Sequence, residues 1–187
     1  MSNQNREVTV TDDRCKNNRL QNTTGLGIAK KIIANIMAVC YNPHMHKVVT
    51  LHIRPYQPQD QEAVVGLWTT CGLVAPHNDP WRDIERKCRV NPEWFLVGVL
   101  DGILVASCMA GYEGHRGWIN YLAVSPDCRR KGIATQIMQR AEMLLLTAGC
   151  PKINLQVRET NQAVIAFYES LGYANDRVIS MGKRLHN

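Results

Sequence analysis

Between Val124 and Gln136 the chain reads V-S-P-D-C-R-R-K-G-I-A-T-Q, so three consecutive cations, Arg129, Arg130 and Lys131, run straight into Gly132, Ile133 and Ala134. The chemistry open to such a segment is anion binding. If a helix begins near Ile133, its first amides have no intrahelical acceptor and carry partial positive charge. Small residues such as Gly132 and Ala134 let a phosphate approach the backbone, and the three cations add full charges around it. Neither G-x-x-x-x-G-K-[ST] nor G-x-G-x-x-G is present, which excludes the two best-known phosphate loops. Taken alone, the segment has an equally plain alternative: a helix whose first turn follows three surface cations.

Several elements must position this loop. Trp118 to Val124 is β-branched, aromatic and aliphatic, as a buried strand should be, and Ser125-Pro126-Asp127 stops it because proline lacks the N–H a central strand needs. Ile137, Ala141, Leu144, Leu145 and Ala148 then recur at helical spacing, with Gly149 as C-cap and Pro151 forbidding continuation. Lys152 to Val157 alternates as a strand, Arg158 to Asn161 is a polar turn, and Ala163 to Leu171 reads as a short helix closing at Gly172-Tyr173. Upstream, Val48 to Arg54 reads as the first strand. Pro58 opens a helix with Val64, Val65, Trp68 and Cys71 on its apolar face, and Asp79-Pro80 opens a second, running to about Arg89 with a charged, solvated face. Trp94 to Leu100 and Ile103 to Ala110 are two strands joined by the two-residue hairpin signal Asp101-Gly102. A glycine-bearing loop from Gly111 leads to Gly117, and Val178 to Leu185 is expected as a last strand. The expected fold class is α+β, with helices flanking a mixed, mostly antiparallel twisted sheet.

Two signatures in this order resemble a known family. R-R-K-G-I-A resembles the acyl-CoA loop Q/R-x-x-G-x-G/A of the GCN5-related N-acetyltransferases, the GNAT family, and N-Q-A-V-I-A-F-Y-E-S-L-G-Y resembles their second signature, an asparagine followed seven residues later by a tyrosine and then a closing G-F/Y. The tracts H-N-D-P-W-R-D-I-E-R-K and G-Y-E-G-H-R-G are similar to the small bacterial YpeA-type members. The resemblance spans about Leu51 to Leu185. It implies the GNAT fold, acetyl-CoA as co-substrate and an amine as acceptor. By the same resemblance the pantetheine arm pairs with the strand edge at Leu122, Ala123 and Val124, a backbone N–H near Leu122 faces the thioester carbonyl, and Arg129, Arg130, Lys131, Gly132, Ile133 and Ala134 hold the pyrophosphate. Asn161 is the implied cofactor-contacting asparagine, against a plain capping role at a turn. Tyr168 is the implied general acid for the departing thiolate, since phenol and alkyl thiol pKa values lie within about two units; on the bare helix it reads as a core aromatic beside Phe167. Val164 stands where an alanine is common. The strand position at which several protein-acetylating relatives carry a glutamate is Gln156 here, which cannot accept a proton usefully at neutral pH. That leaves Glu113, His115 and Glu85 as candidate bases, and it keeps a non-catalytic acyl-CoA sensor in view as the alternative to an enzyme.

Composition bounds the rest. A chain of 187 residues with 45% hydrophobic content fits one globular domain. Of the net charge of +6, residues 1–50 hold +4 and residues 51–187 only +2, so the domain is not a strongly basic nucleic-acid binder. The seven cysteines are odd in number and form no C-x-x-C or zinc-ligand spacing, which suits reduced thiols in the cytoplasm; Cys128, beside the cations, is placed to favour its thiolate. The N-terminus is polar, the apolar run Ile32 to Tyr41 is too short to span a bilayer, and neither a signal peptide nor a membrane partner is expected. Residues 1–49 read as an N-terminal extension, partly disordered with an amphipathic helix over Gly25 to Tyr41, and Met45 is an alternative start. Residues 50–187 form the expected acetyltransferase domain, for which a homodimer remains open.

Overall fold

The computed structural model describes residues 50–183 and 185; the extension over residues 1–49, with its expected helix, lies outside the described residues. Asp101 and Gly102 both take positive φ, 50° and 81°, as a two-residue hairpin turn with the right-handed twist of its strands requires. They join β2 (Phe95–Leu100) to β3 (Ile103–Tyr112). With β1 (Leu51–Pro55) before them and β4 (Gly117–Val124) after, these strands form an antiparallel meander, and β5 (Ile153–Asn154) adds in parallel beside β4, giving the order β1-β2-β3-β4-β5. The sheet is thus mixed and mostly antiparallel, with helices on both faces.

Those two faces explain why β2 and the middle of β3 are buried on successive residues rather than alternately. On one face Leu96, Cys108 and Ala110 pack with Ile137, Met138, Ala141 and Leu145 of α3 (Ile133–Thr147) and with Tyr168 of α4 (Gln162–Ser170). On the other, Phe95, Val97 and Met109 pack with Val64, Leu67 and Trp68 of α1 (Gln61–Thr70) and Ile84 of α2 (Pro80–Cys88). Burying a side chain such as Ile137 or Leu145, both fully covered, contributes about 1.5–3 kcal/mol. Asp79 caps α2 by accepting from the amides of Trp81 and Arg82 at 3.0 and 3.2 Å. Gly149 (φ 78°) ends α3, with the Cys150 amide bonded back to Leu145 O at 3.0 Å.

Two strand expectations are corrected. Of Lys152 to Val157 only Ile153 and Asn154 pair, opposite Gly117 and Trp118; farther along, β4 carries a bulge, and a bulge disrupts a regular ladder. Val178 to Leu185 forms no strand among the described residues 178–183. Val178 and Ile179 are adjacent apolar residues, not an alternation, and they and Met181 are exposed. This segment and the residues just before it meet the β5 side through side chains, Lys152 with Asp176 at 2.6 Å and Gln156 with Ser180.

Two tests follow from this packing. A Cβ on Gly117 would lie 2.8 Å from Cys150 Sγ and 3.2 Å from Leu145 Cδ1, so Gly117→Ala is expected to cost about 1–3 kcal/mol, read as a lower denaturant midpoint. Asp60, buried at the start of α1, accepts from both Arg54 terminal nitrogens at 2.7 and 2.8 Å and from Gln57 N at 2.8 Å. The Arg54 hydrogen bonds hold its carboxyl below the usual carboxylate range. Its contribution is therefore full above the unfolded value near about 3.9 and is lost as pH falls through the lower folded value. The urea midpoint should fall at acid pH, and more shallowly in Asp60→Asn; identical slopes for the two proteins would contradict this.

Candidate active site

β4 pairs with β3 along its length but with β5 only at Gly117 and Trp118. Its outer edge from Ile119 to Val124 has no strand neighbour among the described residues. Within that edge Tyr121 takes φ 50°, a left-handed conformation that costs a non-glycine residue about 1–2 kcal/mol, and Tyr121 and Leu122 together fall opposite Cys108 between the pairs Met109↔Asn120 and Ser107↔Ala123. The extra residue swaps the faces of the strand. Ile119 packs on the α3/α4 side, Tyr121 and Ala123 on the α1/α2 side, and Leu122 and Val124 again on the α3/α4 side.

Four contacts hold the bulge. Trp68 Nε1 donates to Ser107 Oγ at 2.8 Å, and Ser107 Oγ donates to the Tyr121 carbonyl at 3.0 Å. The Tyr121 ring stacks on Trp68 with centroids 4.0 Å apart, and its hydroxyl donates to Asp83 Oδ2 at 2.7 Å. Burial, and then the bond to Asp83, pushes this phenol up to about 12.

β4 runs directly into the basic loop. Cys71 Sγ and Arg129 Nε both donate to the Val124 carbonyl, at 3.4 and 3.1 Å, and Arg129 also reaches Cys71 Sγ at 3.8 Å. Lys131 Nζ donates to Asp127 O at 3.0 Å. Arg129 and Lys131 thereby fold back on their own turn, while Arg130 stands exposed at φ 62°. Gly132 follows at φ 73° as the N-cap of α3, without a side-chain cap, and the first intrahelical bond is Gln136 N to Gly132 O at 3.1 Å. The amides of Ile133, Ala134 and Thr135 thus precede that bond, at the positive end of a four-turn helix.

Tyr168 lies on the same side of the sheet. It is buried in the cluster that includes Ile133, Leu122, Val124 and Val164, edge-on to Tyr173 at 5.6 Å and tilted against Phe167 at 5.1 Å. Burial pushes its phenol above the usual range. Tyr173 in turn donates to Glu142 Oε1 of α3 at 2.9 Å. Asn161 caps α4, its Oδ1 accepting from Val164 N at 3.4 Å.

The structure therefore brings Leu122, Val124, Ile133 and Tyr168 into one cluster, with Ala123 between them in sequence and Arg129 to Gly132 and Ala134 in the adjoining turn. It does not bring Glu113 and His115 there. Both are exposed in the β3–β4 loop at the Gly117 end of β4, where the Glu113 carboxylate accepts from Arg116 N at 2.9 and 3.0 Å. Tyr112, at the start of this loop, contacts Gly149 O at 3.4 Å, just beyond the C-terminus of α3, whereas the basic loop is at its N-terminus, about 22 Å away by helix rise. Glu85 is paired with Arg89 on an exposed turn of α2. Gln156 is engaged by Ser180. Sequence reasoning missed the bulge and its supports Ser107 and Tyr121, and read Trp68 and Cys71 only as apolar-face residues; the one available signal was a serine inside the apolar run of β3, I-L-V-A-S-C-M-A-G-Y.

The model of the acetyltransferase (GNAT) family matches residues 61–173. An acetyltransferase of Yersinia enterocolitica is 49% identical over 135 residues, covering 72% of this chain and 96% of its own length, and one of Pectobacterium atrosepticum is 50% identical over the same span and shares. Among solved structures, Ard1 from Thermoplasma volcanium superposes with a TM-score of 0.61 at 25% identity, covering 66% of this chain and 82% of that one. The aminoglycoside N-acetyltransferase AAC(6')-Iy, solved in complex with CoA, superposes with a TM-score of 0.60 at 19% identity, covering 74% and 97%, which is a likeness of fold. The chain belongs to the GNAT family of acetyltransferases.

Proposed function

We propose that this protein is an acetyl-CoA-dependent N-acetyltransferase that moves the acetyl group directly to a primary amine. The observation that carries the reading is one continuous stretch, Ile119 to Thr135: a strand edge without a neighbour among the described residues, a left-handed basic turn and a helix start without a side-chain cap. Pantetheine amides can pair with the edge at Leu122, Ala123 and Val124 as a peptide would. The Gly132, Ile133 and Ala134 amides suit a pyrophosphate, in the field of Arg129, Arg130 and Lys131. The Leu122 N–H is the donor for the thioester oxygen. Asn161 spends its carbonyl on the helix and keeps its amide N–H groups for the cofactor.

The amine arrives neutral and its lone pair attacks the carbonyl carbon. The C–S bond breaks, and the departing thiolate takes the Tyr168 proton. Burial raises the Tyr168 phenol, which disfavours a free phenolate, so Tyr168 gives its proton to sulfur as it takes one from the cationic nitrogen. The balance closes as amine plus acetyl-CoA giving amide plus CoA, without calling on Glu113 or His115. The acceptor class is a protein lysine, a protein N-terminus or a small amine, and the setting is the cytoplasm. Gln156, engaged by Ser180, supports the second reading of a non-catalytic acyl-CoA binder. Free CoA released from acetyl-CoA only when an amine is added, with the acetylated product seen by mass, supports the enzyme; binding without release across a broad amine screen supports the sensor.

Two substitutions test the parts. A side chain at Gly132 meets only Gln136 Nε2, at 4.0 Å, yet the backbone is at φ 73°. Gly132→Asp therefore has room, but it adds strain and puts a carboxylate at the anion site. Acetyl-CoA affinity by calorimetry should weaken at least about tenfold, or 1.4 kcal/mol; unchanged affinity in the folded variant would sink the loop assignment. Tyr168→Phe keeps the ring and its packing. The kcat should fall about 100-fold, the lower end for general acid catalysis, with cofactor affinity and Tm nearly unchanged. Full activity would remove Tyr168 from the mechanism, and lost activity with a collapsed Tm would make it a core residue only.

A further inference from the structure

Ser107 touches neither the basic loop nor Tyr168, yet it fixes the direction of one peptide group. It is fully buried, accepts from Trp68 Nε1 at 2.8 Å and spends its single donor on the Tyr121 carbonyl at 3.0 Å. No cis peptide bond occurs among the described residues, and in a planar trans peptide the C=O of one residue and the N–H of the next point in opposite directions. Ser107 and Trp68 draw the Tyr121 oxygen toward the α1/α2 face, which aims the Leu122 N–H the other way. That is the side on which Leu122, Val124, Ile133 and Tyr168 share one cluster. Tyr121 has no intrinsic reason to keep φ 50°. Without the Ser107 bond the Tyr121 ring keeps its Trp68 stack and Asp83 partner, but its carbonyl is free to rotate and to swing the Leu122 N–H with it.

We propose that Ser107 is a positioning residue for acyl transfer: through the Tyr121 carbonyl it aims the Leu122 N–H at the thioester oxygen, and Trp68 fixes the hydroxyl's orientation. This rests on the acetyl-CoA reading above. The role is separable from packing, because Ser107→Ala removes one buried oxygen and leaves the Trp68–Tyr121 stack in place. It is also separable from cofactor retention, because CoA lacks the acetyl carbonyl but keeps the pyrophosphate and pantetheine contacts.

The test uses the full chain and two probes, CoA and acetyl-CoA labelled with carbon-13 at the carbonyl. The wild type should prefer acetyl-CoA to CoA by roughly 2- to 10-fold, the worth of one hydrogen bond, and the bound carbonyl resonance should lie downfield of the free one. In Ser107→Ala, CoA affinity should stay within about twofold while the preference falls to about one and the resonance moves back upfield; Ser107→Thr, which retains the hydroxyl, should restore both. With the amine acceptor in hand, kcat should fall up to about 100-fold, the cost of losing an oxyanion donor. A folded Ser107→Ala with unchanged preference and unchanged resonance overturns the proposal. If that variant does not fold, Trp68→Phe, which removes the donor but keeps a ring against Tyr121, is read by the same two criteria. Failure of the wild type to bind CoA would overturn the cofactor reading first, and is distinguishable because no variant enters that measurement.

Discussion

Ser107, buried in β3, holds the carbonyl of Tyr121 inside a left-handed bulge of β4, one of four contacts that support the bulge, and three features of the molecule accompany it. β4 pairs with β5 over only two residues, and the rest of its outer edge has no strand neighbour among the described residues. The strand changes faces, so Leu122 and Val124 join the α3/α4 cluster while Tyr121 turns to the α1/α2 side. The Tyr121–Leu122 peptide acquires a defined direction. The magnitudes favour keeping this conformation. A left-handed tyrosine costs about 1–2 kcal/mol. Against that stand two hydrogen bonds of the Trp68–Ser107–Tyr121 chain at about 1 kcal/mol each, aromatic stacking of about 0.5–1.5 kcal/mol, and the bond from the Tyr121 hydroxyl to Asp83.

The two ends of the helix that follows, α3, are built differently. At its N-terminus α3 has left-handed residues, cations and amides ahead of the first intrahelical bond. At its C-terminus the chain turns through Gly149 and Cys150 and packs beneath Gly117, with no room for a Cβ. One end carries the features that the proposed anion site needs, and the other fastens the helix to the sheet. Glu113 and His115 lie at the fastened end, away from the proposed acyl-CoA site, although their residue types suit proton transfer in isolation.

Most of the fold was legible because its signals are local. Asp101-Gly102 demands a tight hairpin, Asp79-Pro80 a capped helix start, and the spacing from Ile137 to Leu145 a helix on a core. Arg129 to Ala134 and Asn161 to Tyr168 carried the family through their resemblance, in residue types and order, to two known signatures. What could not be read depends on pairs far apart in sequence: Trp68 with Ser107, Ser107 with Tyr121, Cys71 with Val124 and Arg129. A bulge leaves no mark in residue types when the residue at positive φ is a tyrosine and not a glycine. Val178 to Leu185 was misread for a related reason, since β-rich composition signals a capacity for strand pairing and not the presence of a partner edge.

The most direct measurement is amide hydrogen exchange of the full chain with and without saturating acetyl-CoA. The expected result is slowed exchange over Ile119 to Val124 and Arg130 to Gln136, with a smaller effect around Asn161 to Val164, and none in the β3–β4 loop that carries Glu113 and His115. Protection confined to that loop, or to the exposed segment from Asp176 to Met181, would contradict the assignment of the β4 edge and the α3 N-terminus as the acyl-CoA site.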